Sequence, residues 1–314
     1  MEKIEHSTIA ANGITIHVAS VGSGPAVLLL HGFPELWYSW RHQLLFLASK
    51  GYRAIAPDLR GFGDSDAPPS PSSYTPLHIV GDLVALLDHL GIDLVFLVGH
   101  DWGAMMAWHF CLLRPDRVKA LVNLSVHFMP RNPAMSPLDG MRLLLGDDFY
   151  VCRFQEPGAA EADFGSVDTA TMMKKFLTMR DPRPPIIPNG FRSLETPQAL
   201  PPWLTEEDID YFAAKFAKTG FTGGFNYYRA IGRTWELTAP WTGSKIKVPA
   251  KFIVGDLDMV YHLPDAKEYI HGGGFKEDVP LLEEVVVIEG AAHFINQEKP
   301  DEISSLIYDF IKKF

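Results

Sequence analysis

One stretch decides the fold of this chain: Leu94-Val95-Phe96-Leu97-Val98-Gly99-His100-Asp101-Trp102-Gly103-Ala104. Its first five residues are apolar and predict a strand that is buried on both faces of a sheet. From Trp102 to Leu113 the apolar residues change to helical spacing, which predicts that a helix begins where the strand ends. Gly99 and Gly103 flank the junction, as expected because a tight strand-to-helix turn needs small residues.

The turn itself has the pattern G-x-S-x-G, with Asp101 in the position of the serine. Such a turn holds its central side chain at the carboxyl end of the sheet, above a helix N-terminus that favours an anion. The pattern therefore predicts a nucleophilic carboxylate. The alternative is that Asp101 is only the N-cap of the helix that begins at Trp102.

The composition is that of an ordinary globular protein. Of the 314 residues, 47% are hydrophobic and 21% are charged, and the formal net charge of -10 argues against nucleic acid or an anionic membrane as a partner. The two cysteines, Cys111 and Cys152, lack metal-ligand spacing and indicate a reducing compartment. The first residues contain no signal-peptide run, and no apolar stretch reaches membrane-spanning length. We therefore expect a cytoplasmic protein.

Strands and helices alternate through the first 127 residues. Buried strands are predicted at residues 26–30, 53–57 and 118–125, and Thr75-Pro76 predicts the start of a helix. A hairpin around Asn12-Gly13 precedes them. This alternation predicts an α/β fold with a mostly parallel sheet and helices on both faces.

Residues 128–245 differ in character from the rest, since they carry many prolines and aromatic residues and only short helical patterns. Buried strands are predicted to return at 250–255 and 284–288, and a closing helix at about 300–312. We therefore predict a core built from residues 1–127 and 246–314. Residues 128–245, called the inserted segment below, are predicted to form a helical cap over the carboxyl ends of the strands.

Two further loops carry candidate partners for Asp101. Gly255-Asp256-Leu257-Asp258 follows one late strand, and His293 follows the next. In this architecture the order along the chain is nucleophile, acid and histidine, and all three loops lie at one edge of the sheet. Taken singly, His293 would be read as a structural histidine and either aspartate as a helix cap. Together the three loops predict a catalytic triad.

An early loop completes the predicted site. His31-Gly32-Phe33-Pro34 follows the strand at 26–30, where this architecture has its second oxyanion donor. We predict that the backbone N–H groups of Phe33 and Trp102 point at the same oxygen.

Five motifs, spread over nearly the whole chain, carry a resemblance. They are HGFPE (31–35), DLRGFGDSD (58–66), GHDWGA (99–104), GDLDMV (255–260) and GAAHF (290–294). Together they resemble the α/β-hydrolase-fold soluble epoxide hydrolases, closest to the plant type. The inserted segment agrees, because the sequences that begin at Tyr150 and surround Tyr228 match the two tyrosine motifs of that family.

The resemblance implies that Tyr150 and Tyr228 donate hydrogen bonds to the epoxide oxygen. The alternative is that a tyrosine in an aromatic segment only packs, and Tyr227 beside Tyr228 illustrates how little tyrosine alone indicates. Other aromatic residues could line a pocket or belong to the core: Trp37, Tyr38, Trp108 and Phe294.

The resemblance also assigns supporting residues. It implies that Asp258, in preference to Asp256, orients the histidine. Glu35 and His100 match positions that are linked to a water network, and the bond before Pro34 is expected to be cis.

The implied reaction converts epoxides, either fatty-acid or aryl epoxides, to vicinal diols. Asp101 would form a covalent alkyl ester, and water activated by His293 and Asp258 would hydrolyse it. A serine would instead leave an ether, which such a water could not cleave. No metal or organic cofactor is implied; the partner is a small-molecule epoxide, and we expect a monomer or homodimer.

Three other functions share parts of this pattern. A haloalkane dehalogenase shares the aspartate nucleophile and the tryptophan after it, but has no use for phenols that protonate an alkoxide. A serine-type esterase is disfavoured because the turn contains no serine. A non-catalytic ligand-binding receptor on the same fold is disfavoured by the complete predicted triad.

Overall fold

The computed structural model describes residues 3–314. Across this range the chain forms a single sheet of eight strands in the order β1-β2-β4-β3-β5-β6-β7-β8. The strands are Glu5–Ala11 (β1), Ile14–Val21 (β2), Ala26–Leu30 (β3), Arg53–Pro57 (β4), Val95–His100 (β5), Val118–Leu124 (β6), Ala250–Gly255 (β7) and Leu282–Ile288 (β8). The pairs β1–β2 and β2–β4 are antiparallel and all others are parallel, which confirms the α/β class and the mostly parallel sheet.

Helices connect most of these strands. They are Arg41–Ser49 (α1), Pro76–His89 (α2), Trp102–Leu113 (α3), Pro137–Leu145 (α4), Tyr150–Arg153 (α5), Ala159–Gly165 (α6), Thr169–Leu177 (α7), Glu206–Thr219 (α8), Thr222–Arg229 (α9), Ile231–Leu237 (α10), Ala266–His271 (α11), Gly274–Asp278 (α12), Ile295–Glu298 (α13) and Pro300–Ile311 (α14). The predicted helices after Thr75 and Asp101 and near the end of the chain are confirmed as α2, α3 and α14.

The predicted hairpin is confirmed in its register. Ala11 pairs with Ile14, so Asn12 and Gly13 form a two-residue turn, and both have positive φ, 50° and 79°. Positive φ at both positions is the geometry that Asn-Gly favours. The hairpin joins the sheet through β2, next to β4.

Two strand predictions need correction. The strand at 284–288 was expected to be buried, but β8 is an edge strand with one neighbour, and Val287 is 39% exposed. Strand β6 was expected to reach Ser125, but it ends at Leu124 because Ser125 has a φ of 69°, outside the range of a strand. The buried core of the sheet consequently lies around β3, β5, β6 and β7, whose side chains are buried almost throughout.

Every described strand lies outside the inserted segment, which contributes helices α4 to α10. Its interior is a cluster of phenylalanine side chains: Phe154, Phe164, Phe176, Phe191, Phe221 and Phe225. Phe33, from the loop after β3, inserts its ring among them, with ring centroids 5.5 Å from Phe225 and 5.7 Å from Phe176. One core side chain therefore anchors the inserted segment above the sheet.

A close backbone contact also fixes helix α9. A Cβ atom built on Gly223, in the first turn of α9, would overlap the carbonyl oxygen of Gly61. Gly61 belongs to the loop after β4 and has a φ of 88°. A Cβ atom built on Gly61 would lie 3.0 Å from the Cα atom of Gly223. Helix α9 can rest on this loop only because both residues lack a side chain.

We therefore expect Gly223→Ala to lower the free energy of unfolding by about 1–3 kcal/mol, the usual cost of overpacking. The matched control is Gly232→Ala at the equivalent position of α10, where a built Cβ meets nothing within 4 Å. That change should instead stabilise by about 0.5–1 kcal/mol, since alanine favours a helix over glycine. Denaturant unfolding of both variants is the measurement, and equal stability of the two would contradict the contact.

Candidate active site

Asp101 lies at a strained turn. Strand β5 ends at His100 and α3 begins at Trp102, and Asp101 between them has φ 52° and ψ -122°. A Cβ on Gly103 would overlap the carbonyl oxygen of Leu30, and one on Gly99 would lie 2.6 Å from the Gly103 oxygen. The two glycines are needed because β3, β5 and α3 meet here without room for side chains.

The carboxylate of Asp101 has two neighbours. Oδ1 accepts a hydrogen bond from the Phe33 backbone N–H at 2.7 Å, and Oδ2 lies 3.3 Å from His293 Nε2. The N-cap alternative requires a hydrogen bond from the first turn of α3 to the Asp101 side chain. The side chain makes no such capping bond and contacts Phe33 and His293 instead. The bond between Phe33 and Pro34 is cis, as the resemblance implied. The contribution of the Trp102 N–H stays a prediction.

Asp258 is the acidic partner of His293. Both of its carboxylate oxygens lie 3.0 Å from His293 Nδ1, and Oδ1 also accepts from the Val260 N–H at 2.8 Å. Asp258 is fully buried, and it follows β7, whereas His293 follows β8. Of the two aspartates that the sequence offered, the structure brings Asp258 to the imidazole.

The charges of these groups depend on one another. Burial alone would lower the pKa of His293, but the carboxylates of Asp258 and Asp101 outweigh it and raise that pKa well above its usual value. Burial alone would raise the pKa of Asp258, but His293 holds it below the usual value. The two neighbouring carboxylates thus favour the protonated form of the His293 imidazole.

Tyr150 and Tyr228 come from the inserted segment, where Tyr150 begins α5 and Tyr228 lies near the end of α9. Their ring centroids are 5.8 Å apart, and the Tyr228 ring is 4.9 Å from the Trp102 ring. Burial, followed by the charge of Asp101, raises the pKa of Tyr150, and burial, Tyr150 and Asp101 raise the pKa of Tyr228. Both phenols consequently keep their protons at neutral pH and are available as donors.

Tyr227 has a different environment from its neighbour. Its hydroxyl donates to the Arg60 carbonyl at 2.9 Å, and its ring packs against Phe62 and Tyr74. It is therefore a packing residue that ties α9 to the loop after β4. Both rings pack near Trp102, with centroid distances of 5.6 Å for Tyr227 and 4.9 Å for Tyr228, so the two tyrosines differ in their hydroxyl partners and not in this contact.

A cavity of about 440 Å³ lies at this site. Asp101, Trp102, Tyr150 and Tyr228 line it together with a largely apolar wall that includes Met105, Met129, Leu144, Ile231 and Leu263. The four aromatic residues that could have lined a pocket lie elsewhere. The rings of Trp37 and Tyr38 pack on Tyr211 of α8, Trp108 is fully buried, and Phe294 lies beside a separate cavity.

Glu35 and His100 form a buried hydrogen-bonded pair beside His293. His100 Nδ1 lies 2.6 Å from Glu35 Oε2, and His100 Nε2 lies 2.7 Å from the backbone carbonyl of His293. Burial would raise the pKa of Glu35, but His100 and the Gly32 N–H lower it to about 2. His100 therefore contacts the main chain of the histidine loop directly, and Glu35 holds His100 in place.

Sequence reasoning missed Ser125. Its hydroxyl donates to the His293 carbonyl at 2.9 Å, so that carbonyl is held by two side chains. The positive φ of Ser125 turns it toward the triad at the end of β6. No motif marks it, and only its position after a buried strand could have indicated it.

One cluster of potential metal ligands lies outside the residues that line this cavity. Within residues 3–314, His17, Asp58 and Asp64 have ligand atoms within 4.8 Å of one another. These atoms already have partners, since His17 Nδ1 contacts Asp58 Oδ2 at 2.8 Å and Asp64 pairs with Lys215. An ammonium group beside the carboxylate opposes a further cation, so the cluster does not fit a metal ion.

Comparisons with known proteins agree with this arrangement. Residues 25–300 match the family model described as alpha/beta hydrolase fold. The chain is 86% identical to "Epoxide hydrolase 1" of Siraitia grosvenorii over 314 residues, covering 100% of both chains. It also resembles a crystal structure of an epoxide hydrolase from Vigna radiata, with a TM-score of 0.97, 61% identity and coverage of 100% and 99%. A laboratory-evolved variant of a potato epoxide hydrolase matches with a TM-score of 0.96, 60% identity and coverage of 99% and 100%. None of the helices in residues 3–314 is long and apolar enough to cross a membrane.

The electrostatics predict how His293 titrates. In the unmodified protein its imidazole should lose its proton well above pH 6.5, and Asp258→Asn should lower that midpoint by removing the larger of the two charge contributions that raise it. The matched control is Asp256→Asn, in the same loop but not in contact with the imidazole. NMR titration of the ring resonances is the measurement. Equal shifts in the two variants would contradict the choice of Asp258.

Proposed function

This protein belongs to the epoxide hydrolases of the α/β-hydrolase-fold family, and from that premise we propose that Asp101 is the nucleophile that opens the epoxide ring. One observation carries the proposal. The Asp101 carboxylate is held between a backbone N–H and an imidazole, and it lines the same apolar cavity as two protonated phenols.

In the first step, Asp101 Oδ2 attacks an epoxide carbon and the carbon–oxygen bond of the ring breaks. Tyr150 and Tyr228 donate hydrogen bonds to the departing oxygen, and one of them gives it a proton. The product is an alkyl ester on Asp101 with a free hydroxyl on the neighbouring carbon. The imidazolium proton of His293 then compensates the tyrosinate, either directly or through water, and leaves a neutral imidazole.

The second step depends on the loss of one charge. Esterification neutralises Asp101, so one of the two carboxylates that raise the pKa of His293 is gone and the imidazole becomes a base. It takes a proton from water, which attacks Cγ of Asp101. The negative charge that develops on Oδ1 faces the Phe33 N–H, with the Trp102 N–H as the second proposed donor. The tetrahedral intermediate collapses and the ester carbon–oxygen bond breaks. The remaining proton of the attacking water passes from the new carboxylic acid to the departing alkoxide oxygen, which leaves the diol, the Asp101 carboxylate and protonated His293.

The wall of the cavity supports an apolar substrate. We propose fatty-acid or aryl epoxides, because methionine, leucine and isoleucine side chains form much of the wall. The same triad could serve a haloalkane dehalogenase, but two phenols that line the cavity together with Asp101 favour a leaving oxygen that needs a proton.

We also propose the organisation and location of the protein. Residues 1–127 and 246–314 act as the catalytic core and residues 128–245 as its cap, since the triad comes from the core and both tyrosines come from the inserted segment. Two free and buried cysteines, Cys111 and Cys152, suit a reducing compartment such as the cytoplasm.

The covalent step can be tested by the origin of the oxygen. With enzyme in excess over styrene oxide in ¹⁸O-water, the first diol should be largely unlabelled and the label should appear in Asp101. His293→Gln should form the ester and then stall, with turnover reduced by roughly 10²–10⁴-fold, the usual contribution of a general base. Mass spectrometry of the diol, the peptide and the intact variant gives all three results. A fully labelled first diol would mean that Asp101 only directs water.

The tyrosine pair can be tested separately. Replacing both Tyr150 and Tyr228 by Phe should abolish ester formation, whereas either single change should be milder because one donor remains. The matched control is Tyr227→Phe, which removes a hydroxyl that contacts only the Arg60 carbonyl and should leave ester formation unchanged. Rapid esterification of Asp101 in the double variant would contradict the role of the phenols.

A further inference from the structure

Buried polar side chains continue from the Glu35–His100 pair away from the cavity. Gln297, on α13, donates from Nε2 to Glu35 Oε1 at 3.0 Å. Its Oε1 accepts from Arg41 Nη1 at 2.8 Å, and Arg41 Nη2 lies 3.1 Å from Asp208 Oδ1. All of these residues are buried, and Glu35 and Gln297 are completely inaccessible.

The outer end of this chain of contacts lies in the inserted segment. Asp208 is in the first turn of α8, where it accepts from the Thr205 N–H at 2.9 Å and closes the capping box of that helix. The Tyr38 hydroxyl also donates to Asp208, at 2.9 Å. Arg41 therefore joins α8 to the core through an ion pair with Asp208 in which both side chains are largely shielded from water.

The inner end divides at Glu35. One branch is the bond from the Gly32 N–H to Glu35 Oε2 at 3.1 Å, next to Phe33, whose N–H contacts Asp101. The other branch runs through His100 to the carbonyl of His293. One carboxylate thus fixes the oxyanion loop and the histidine loop together, and Gln297 fixes that carboxylate.

We propose that Gln297 and Arg41 are positioning residues for hydrolysis of the ester, through which the seating of α8 reaches both loops. The proposal rests on the covalent mechanism above. Neither side chain touches the cavity, so neither is a catalytic residue. Their effect passes through Glu35.

The two chemical steps depend differently on these loops. In ester formation, negative charge leaves the Asp101 carboxylate, so the Phe33 N–H gains nothing as the transition state forms. In ester hydrolysis, negative charge develops on Oδ1 and His293 must hold a water, so both loops are needed in place. Loosening Glu35 should therefore slow hydrolysis and spare ester formation.

The main test is Gln297→Met, which keeps the length of the side chain and removes both hydrogen bonds. After rapid mixing with styrene oxide, decay of the ester should slow about tenfold, the effect of losing roughly one well-placed hydrogen bond. The rate of ester formation should change less than about twofold, so kcat and KM fall together while kcat/KM is kept.

A second variant tests the same proposal if Gln297→Met does not fold. Arg41→Lys keeps the positive charge beside Asp208 but cannot bridge to Gln297 in the same planar geometry, and it should slow hydrolysis in the same direction. Asp208→Asn, on α8, should do so as well, and combined with Gln297→Met it should add little, because both act on one chain of contacts.

The matched control is Asn296→Ala. Asn296 precedes Gln297 in α13, is equally buried, and donates to the Ser39 carbonyl at 3.1 Å without touching Glu35. It should lower the unfolding temperature and leave both rate constants unchanged. A fall in kcat/KM equal to that in kcat for Gln297→Met, or equal kinetics of Gln297→Met and Asn296→Ala, would overturn the proposal. Failure of the covalent mechanism is distinguished by the absence of ester in His293→Gln.

Discussion

The parallel pairing of β3 with β5 is the constraint on which the site depends. Leu30 pairs with Gly99, so the two strands end side by side and their loops leave the sheet together. A Cβ on Gly32 would overlap the Asp101 carboxylate. Because that atom is missing, the Phe33 N–H reaches Asp101 Oδ1, and the strained turn at Asp101 is held by a hydrogen bond from its neighbouring loop.

Two histidines act on this frame with opposite surroundings. His293 lies between the carboxylates of Asp258 and Asp101, and in the proposed mechanism Asp101 is esterified, so the charge on His293 would change during the cycle. His100 faces Glu35 on one side and a carbonyl on the other, and both neighbours persist throughout. Two histidines with different partners thus lie side by side, with ring centroids only 4.9 Å apart.

Much of the fold could be predicted because the spacing of apolar residues and the residue types of turns are local properties of the sequence. The Asn12-Gly13 hairpin, the strand that ends at Asp101 and the helix after it follow from residue types within a few positions. The exposure of β8 could not be predicted in this way, since an edge strand is defined by the missing neighbour and Val285, Val286 and Val287 look the same in either place.

The residues of the site likewise differ in how far local sequence could predict them. Spacing and order indicated Asp101, His293 and an acid after β7, but only the resemblance distinguished Asp258 from Asp256 and Tyr228 from Tyr227. Gln297 carried no signal at all. The role proposed for it rests on a contact with Glu35, 262 positions away along the chain, which no local pattern can encode.

Phe33 shows what this architecture permits in the exchange of parts between relatives. Its ring is packed among phenylalanines of the inserted segment, while its backbone N–H donates to the Asp101 carboxylate. A segment transplanted from another enzyme would have to bring a hollow that fits this ring, or the graft would pull on the oxyanion loop. The inserted segment is therefore not an interchangeable module, and diversification of substrates proceeds more readily by single changes in the cavity wall than by replacing the whole segment.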